Sequence, residues 1–155
     1  LSDNWTLWAH LPHNTDWSLK SYIPISTFTT VEETIAVTES LPSALIENCM
    51  LFMMKEGIKP TWEDPKNRNG GCFSYKVINK HVYKAWKDLT YVVAGATVSK
   101  NASFVNCVNG ITISPKKNFC IIKIWMDTIK YDKVITIWIK FKIIKYRYTS
   151  GSNSK

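Results

Sequence analysis

Two tryptophans in predicted loops are the residues of this sequence with the clearest capacity for ligand chemistry. Trp62 lies in segment 57–65, whose glycine and prolines are typical of a loop rather than a helix or a central strand. Trp17 lies in segment 12–18, a second polar loop that follows a predicted strand. Two indole rings on separate loops can sandwich one flat ligand, and stacking stabilises a bound base by roughly 1–3 kcal/mol. The pattern therefore predicts an aromatic site for a flat ring system.

Glu63, directly after Trp62, adds a carboxylate to this site. An ionised carboxylate only accepts hydrogen bonds, and guanine presents two neighbouring donors, N1–H and the exocyclic amine. Methylation at N7 makes the base cationic, so each stacked indole adds a cation–π contribution of ~0.5–2 kcal/mol, and the bonds to Glu63 become charge-assisted. Such a site prefers N7-methylated guanine. The alternative is that Trp62 folds back onto the core and Glu63 is solvated.

A predicted hairpin places two lysines where they can bind phosphate. Side chains alternate between the faces of a strand, so Lys116 lies on the face opposite Ile111 and Ile113. On the return strand, Lys123 shares a face with Trp125. If both lysines face the loop tryptophans, they can hold a polyphosphate as point charges. Lysines near a turn are also commonly solvated, and a tryptophan among apolar neighbours is also typical of a core.

The elements that must position these residues are predicted from composition and periodicity. Segments rich in β-branched and aromatic residues predict strands at 5–10, 22–28, 50–55, 72–79, 104–114, 118–125 and 142–148. Helices are predicted after the capping box that begins at Thr30, over 81–94, and near 131–141, where many β-branched residues also allow a strand. This order indicates an α+β fold, with one antiparallel sheet, helices on one face and a free face for a ligand.

Length and net charge limit the number of domains and the class of partner. The 155 residues fit one domain, which we place at 1–148, followed by a flexible Ser/Gly/Asn-rich tail at 149–155. The excess of 20 basic over 12 acidic residues gives a net charge of +8 and favours a polyanionic partner. The alternative is that lysine is simply the default surface residue, since heavy use of Ile, Lys and Asn is typical of the AT-rich genomes of protists and large viruses.

Several classes of protein are disfavoured by what the sequence lacks. The three histidines are scattered, and no catalytic or nucleotide-hydrolysing motif is present, so we expect no enzymatic activity and no cofactor. The four cysteines lack zinc-site spacing, so we expect no metal and reduced thiols in a cytosolic or nuclear protein. No apolar segment approaches the ~18 residues that span a bilayer, so we expect no membrane association.

Four segments of the chain resemble the eukaryotic cap-binding translation initiation factors of the 4E class. They lie at 4–8, 30–33, 55–64 and 67–71, and the Gly-Ile-x-Pro-x-Trp-Glu-Asp pattern in the third is highly specific. The resemblance runs from Trp5 to Trp125 nearly in register. It implies a single curved antiparallel sheet with about three helices on its convex face and the ligand in its concave face.

The resemblance also implies roles for single residues: stacking on the cap base for Trp17 and Trp62, guanine recognition for Glu63, contact with the N7-methyl group for Trp125, and phosphate binding for Lys116. Ile121 stands where the family usually has a second phosphate-binding lysine. Lys123, two residues further and on the same face, is expected to replace it.

The partner surface departs from the family. Ile35 replaces an exposed tryptophan that docks a scaffold protein, and Val31 shares its helical face. Lys87 and Tyr91 stand where aliphatic residues are typical, which adds a charge. We therefore expect a dedicated, divergent scaffold of the initiation factor 4G class.

The sequence thus predicts a protein that binds the 7-methylguanosine cap of mRNA as a translation initiation factor. Capped mRNA is the expected ligand, and the cytoplasm is the expected location, of the host cell if the protein is viral. A cap-binding translational repressor with the same site is one alternative. A single-stranded RNA-binding module without cap specificity is the other.

Overall fold

The computed structural model describes residues 1–131 in full and the backbone of 145–150. Its centre is a curved, open antiparallel sheet of seven strands in the order β2-β1-β3-β5-β6-β4-β7. The strands are β1 (Trp5–His10), β2 (Tyr22–Phe28), β3 (Met50–Lys55), β4 (Gly71–Ile78), β5 (Val108–Pro115), β6 (Phe119–Met126) and β7 (Lys145–Ser150). The predicted α+β fold with one antiparallel sheet is confirmed.

The helices are α1 (Val31–Ser40), α2 (Ser43–Asn48), α3 (Pro65–Arg68), α4 (Asn79–Ala94) and α5 (Ala102–Asn106). At the start of α1, the Thr30 hydroxyl accepts a hydrogen bond from the backbone N–H of Glu33, which confirms the predicted N-cap. The Glu33 carboxylate accepts from the hydroxyls of Thr29 and Thr30, where a full capping box would have it accept from the N–H of Thr30. The longest helix, α4, packs on β4, β5 and β6 and buries Val82, Trp86 and Leu89. α1 and α2 then pack on α4.

Alternation along the central strands divides the sheet into two chemically different faces. Ile111 and Ile113 of β5 and Ile122 and Ile124 of β6 are fully buried in the core beneath the helices. Their neighbours in sequence, including Lys123, point to the opposite face, which α4 leaves uncovered. The polar side chains predicted to share a face therefore do so.

The bounds of several elements differ from the predictions. β1, β2 and β3 have the predicted bounds, but the strand predicted over 104–114 begins only at Val108. The Asn101 side chain accepts hydrogen bonds from the N–H groups of Ser103 and Phe104, which starts α5 in its place. The short helices α2 and α3 were also not predicted.

The C-terminal boundary needs a correction. Thr149 and Ser150, which we assigned to the tail, pair with Cys72 and Gly71 as the last residues of β7, so the sheet continues past 148. Residues 151–155 and all but the first residue of the possible helix 131–141 lie outside the described residues. No described helix has the length and apolar character that crossing a bilayer requires.

Candidate functional site

A cavity of about 630 Å³ lies on the uncovered face of the sheet. Its walls come from the loops after β1 and β3, from the start of β2, from α3, from the strands β3, β4, β5 and β6, and from the turn between β5 and β6. The six predicted ligand-binding residues all line it: Trp17, Trp62, Glu63, Lys116, Lys123 and Trp125. The sequence therefore located the components of one site, although they are spread over more than a hundred residues.

The Trp17 indole lines the cavity, is exposed, and is fixed by a stack on His10. One face of its ring stacks on His10, with ring centroids 3.8 Å apart and an interplanar angle of 3°. His10 is buried, and its Nε2 lies 2.8 Å from the carbonyl oxygen of Asp16, the residue before Trp17. The Asp16 carboxylate in turn accepts a hydrogen bond from the N–H of Ser18, which lowers the pKa of Asp16. Trp17 remains 56% exposed, so its second face is open to a ligand.

Trp62 packs against another ring of the site rather than into the core. Its ring meets that of Trp125 edge to face, with centroids 4.3 Å apart and an interplanar angle of 71°. Trp125 itself is buried on the cavity side of β6, where its Nε1 donates a 3.0 Å hydrogen bond to the Thr112 hydroxyl of β5. Because this bond fixes the Trp125 indole, it also fixes the surface on which Trp62 rests.

The loop that carries Trp62 is shaped by two polar side chains. The Asp64 carboxylate accepts hydrogen bonds from the N–H groups of Lys59 and Lys66, at 2.7 and 2.9 Å. The amide of Asn67, the buried residue of α3, donates to the carbonyl oxygens of Lys59 and Thr61, at 3.0 and 2.8 Å. The backbone on both sides of Pro60 is therefore tied to the helix that follows Trp62.

A buried amide on β5 attaches this loop to the sheet. Asn109 donates a 3.0 Å hydrogen bond to the side-chain oxygen of Asn67 and another of 3.0 Å to the carbonyl oxygen of Lys66. Asn67 and Asn109 are each only 2% exposed. Neither residue of this pair was predicted from the sequence to support the site. Asn67 lay inside a recognised motif, but no sequence signal marks Asn109 as its partner.

Charged side chains of both signs line the cavity. Burial, and then the negative charge of Glu63, raise the pKa of Tyr22, another lining residue. The Lys123 ammonium lies 5.5 Å from the centroid of the Trp125 ring. Lys116 and Lys123 lie along the wall formed by β5 and β6. A third lysine, Lys76 of β4, also lines the cavity and was not singled out from the sequence. Its alternation with the core residues of β4 was the signal that could have found it.

Comparison with known proteins decides the family. The model of the eukaryotic initiation factor 4E family matches residues 1–149. The chain belongs to this family. A translation initiation factor 4E of Eremothecium gossypii is 28% identical over 151 residues, which cover 93% of this chain and 70% of that protein. An initiation factor 4E homolog of Acanthamoeba polyphaga mimivirus is 40% identical over 63 residues, or 41% of this chain and 23% of the relative.

A solved member of the family shares the fold. The C. elegans initiation factor 4E-3, in complex with the 4E-binding protein Mextli and a cap analog, matches with a TM-score of 0.76 at 24% identity. The match covers 86% of this chain and 77% of that chain. At this identity the likeness shows the family's curved sheet and its helical backing.

A second cavity of this family member lies on the helical side. It measures about 390 Å³ and is lined by Leu1, Val31, Thr34, Ile35, Glu39, Tyr91, Ala94 and Gly95. Val31 and Ile35 are 53% and 46% exposed, as expected for a docking surface. We call these lining residues the helical groove.

The positive charge of Lys87, which was expected to change the surface beside the helical groove, is paired with a carboxylate. Its ammonium forms a 2.7 Å ion pair with Glu39, and the Tyr91 hydroxyl also donates to that carboxylate. The hydrogen bond from Lys87 lowers the pKa of Glu39, and the same bond raises the pKa of Lys87. Lys87 therefore neutralises its neighbour instead of adding a positive charge to the surface.

Replacing Asn67 by alanine is predicted to destabilise the protein. Asn67→Ala leaves the carbonyl oxygens of Lys59 and Thr61 without their donor and removes an acceptor from Asn109, so we expect a loss of about 2–3 kcal/mol in the free energy of unfolding. Urea denaturation measures it. Asn69→Ala is the matched control, since Asn69 is exposed in the same loop and should cost no more than about 0.5 kcal/mol. Equal losses for the two variants would contradict the role of the Asn67 network.

Proposed function

We propose that this protein binds the 7-methylguanosine cap of mRNA as a cytoplasmic translation initiation factor, without enzymatic activity. One observation carries the proposal: two tryptophans with a neighbouring carboxylate and a set of lysines line a single cavity on the uncovered face of the sheet. Family membership supports the role in translation and the absence of catalysis. The C. elegans relative, solved with a cap analog, supports the ligand.

The base of the cap stacks between Trp17 and Trp62 in this proposal. His10 already covers one face of Trp17, so the base uses the other face. Trp125 presents its ring rather than its N–H to the cavity, because Nε1 is bonded to Thr112. An aromatic surface without a free donor suits the N7-methyl group of the base.

Discrimination between methylated and ordinary guanine follows from charge. The N7-methylated base is cationic, so it gains from each stacked indole and from the Glu63 carboxylate, which follows Trp62 in the chain and lines the same cavity. Unmethylated guanine retains the stacking and the neutral hydrogen bonds but loses these charge contributions. Its triphosphate still meets Lys116 and Lys123, so phosphate contacts alone do not discriminate.

The helical groove is the proposed docking surface for a scaffold of the initiation factor 4G class. A helix that lies in a groove depends on a few apolar anchors, and Val31 and Ile35 offer aliphatic rather than aromatic contacts. The neutral Glu39–Lys87 pair at its edge favours a partner with apolar or hydrogen-bonding complementarity. A translational repressor that uses the same cap site remains the alternative assignment, and it differs in the protein bound here.

Methylation of the cap is predicted to raise affinity at least about tenfold. The wild-type protein should bind 7-methyl-GTP at least tenfold more tightly than GTP. The cation–π gain of two indoles, roughly 1–4 kcal/mol in sum, acts together with the charge-assisted bonds to Glu63, and a factor of ten requires ~1.4 kcal/mol. Quenching of tryptophan fluorescence measures both dissociation constants. Equal affinities would refute the cap proposal and favour the RNA-binding module without cap specificity.

Glu63 variants test the carboxylate separately from the stacking. Glu63→Ala should weaken 7-methyl-GTP binding more than Glu63→Gln, because glutamine keeps one acceptor while it loses the charge; loss of a charge-assisted bond costs about 1.5–3 kcal/mol. Glu56→Ala is the control, since Glu56 is exposed and does not line the cavity. If neither Glu63 variant changes the affinity, the carboxylate is not the guanine-reading group.

The helical groove is predicted to bind ordinary scaffold peptides weakly. By calorimetry, a helical peptide from a host initiation factor 4G should bind the wild-type protein weakly, and Ile35→Trp should tighten binding about tenfold by restoring an aromatic anchor. Ile25→Trp is the matched control, because Ile25 is similarly exposed, at 44%, but lies on β2. Tight, Val31-dependent binding by the wild-type protein would show that the common partner is still accepted.

A further inference from the structure

The wall of the cavity carries two rows of polar side chains across three neighbouring strands. In the first row, Thr112 of β5, Lys123 of β6 and Ser74 of β4 are Cα partners. In the second row, Ser114, Ile121 and Lys76 are Cα partners in the same strand order. All six line the cavity. Lys76 thus stands directly beside the one apolar side chain of the two rows.

Local contacts keep the ammonium group of Lys76 at this wall. Its Nζ lies 4.1 Å from the centroid of the Phe119 ring, and Phe119 also lines the cavity. Lys76 is half-buried, whereas Lys116 at the hairpin is exposed. A cation–π contact of this kind orients the ammonium without neutralising it. The charge therefore remains available to an anion in the cavity.

The lysines of this wall have no carboxylate partner in the fully described part of the chain. Within residues 1–131, none of Lys76, Lys116 and Lys123 forms an ion pair with a carboxylate. The carboxylate that lines the cavity is that of Glu63. Lys123 lies beside the Trp125 ring, and Lys76 stands opposite Ile121, which is four residues or roughly 13 Å from Trp125 along β6. A flat ring that carries a chain of several negative charges matches this order.

We propose that Lys76 binds the polyphosphate of the cap together with Lys116 and Lys123. The inference rests on the proposed cap function and adds a residue to it. Side chains directly opposite in an antiparallel pair have Cβ atoms about 4.5–5.5 Å apart, so the ammonium of Lys76 reaches the space above Ile121. The phosphates therefore lie over the cavity face of β6, with the hydroxyls of Ser74 on β4 and Ser114 on β5 as neutral donors on either side.

The test compares ligands that differ in the number of phosphates. Wild type, Lys76→Met and Lys76→Arg are titrated with 7-methylguanosine, its mono-, di- and triphosphates, and GTP. Methionine keeps an aliphatic stem on Phe119 and removes the charge. We expect Lys76→Met to lose about tenfold in affinity for the triphosphate and less than about twofold for the nucleoside. Lys76→Arg should stay near wild type, and the loss should shrink at high salt.

Two further variants sharpen the result. Lys80→Met is the matched control, since it removes the same charge from an exposed residue that does not line the cavity. Ile121→Lys in the Lys76→Met background should recover most of the lost triphosphate affinity, because the new lysine stands directly opposite residue 76. Recovery separates a missing charge from a damaged fold.

The outcomes separate this inference from the proposed function. A Lys76→Met variant that loses affinity equally for all ligands, or for none, overturns the inference even if wild type prefers 7-methyl-GTP to GTP. Loss on phosphorylated ligands without any preference for the methylated base supports the phosphate role of Lys76 and overturns the cap proposal. If wild type binds none of the ligands, both are refuted.

Discussion

The hydrogen bond between the side chains of Asn109 and Asn67 joins the Trp62 loop to the central sheet, and both amides are almost completely buried. Asn67 in turn holds the backbone on both sides of Pro60, so the position of the loop tryptophan depends on a contact between residues 42 apart in sequence. Unsatisfied buried amides are costly, and the loop therefore has few alternative positions. Trp62 lies in a loop, but these hydrogen bonds fix the loop to the central sheet.

The sheet sets the spacing of the charged side chains in the cavity. Strand alternation brings polar side chains to one face, and antiparallel register sets their spacing across β5, β6 and β4. The lysines therefore follow one another along the wall, from Lys123 beside the Trp125 ring to Lys76 opposite Ile121. The net charge of +8 contributes attraction at longer range.

Much of this arrangement was predictable because it depends on short-range periodicity. The bounds of β1 to β3 and the faces of β5 and β6 follow from alternation, and Trp17 and Trp62 were identified by the polar loops around them. Alternation along β4 could have placed Lys76 on the cavity face, but its position beside Ile121 depends on the register between β4 and β6, which a local pattern does not contain. Asn109 was not predicted because its partner, Asn67, lies on another element. Helix α5 was not predicted because the Asn101 side chain caps a helix in a segment whose composition favours a strand. Periodicity does not predict which distant residues pair or which side chains cap a helix.

The stack of His10 on Trp17 has a consequence for the entropy of binding. An exposed tryptophan normally samples several rotamers, and fixing such a side chain on association costs about 0.5–1.5 kcal/mol. Here the buried imidazole, bonded to the backbone just before Trp17, holds the indole parallel to itself in the folded chain. That ordering is completed during folding, so its entropic cost is not incurred again at each encounter with a ligand. The Trp17 ring is therefore already in place before a ligand stacks on it.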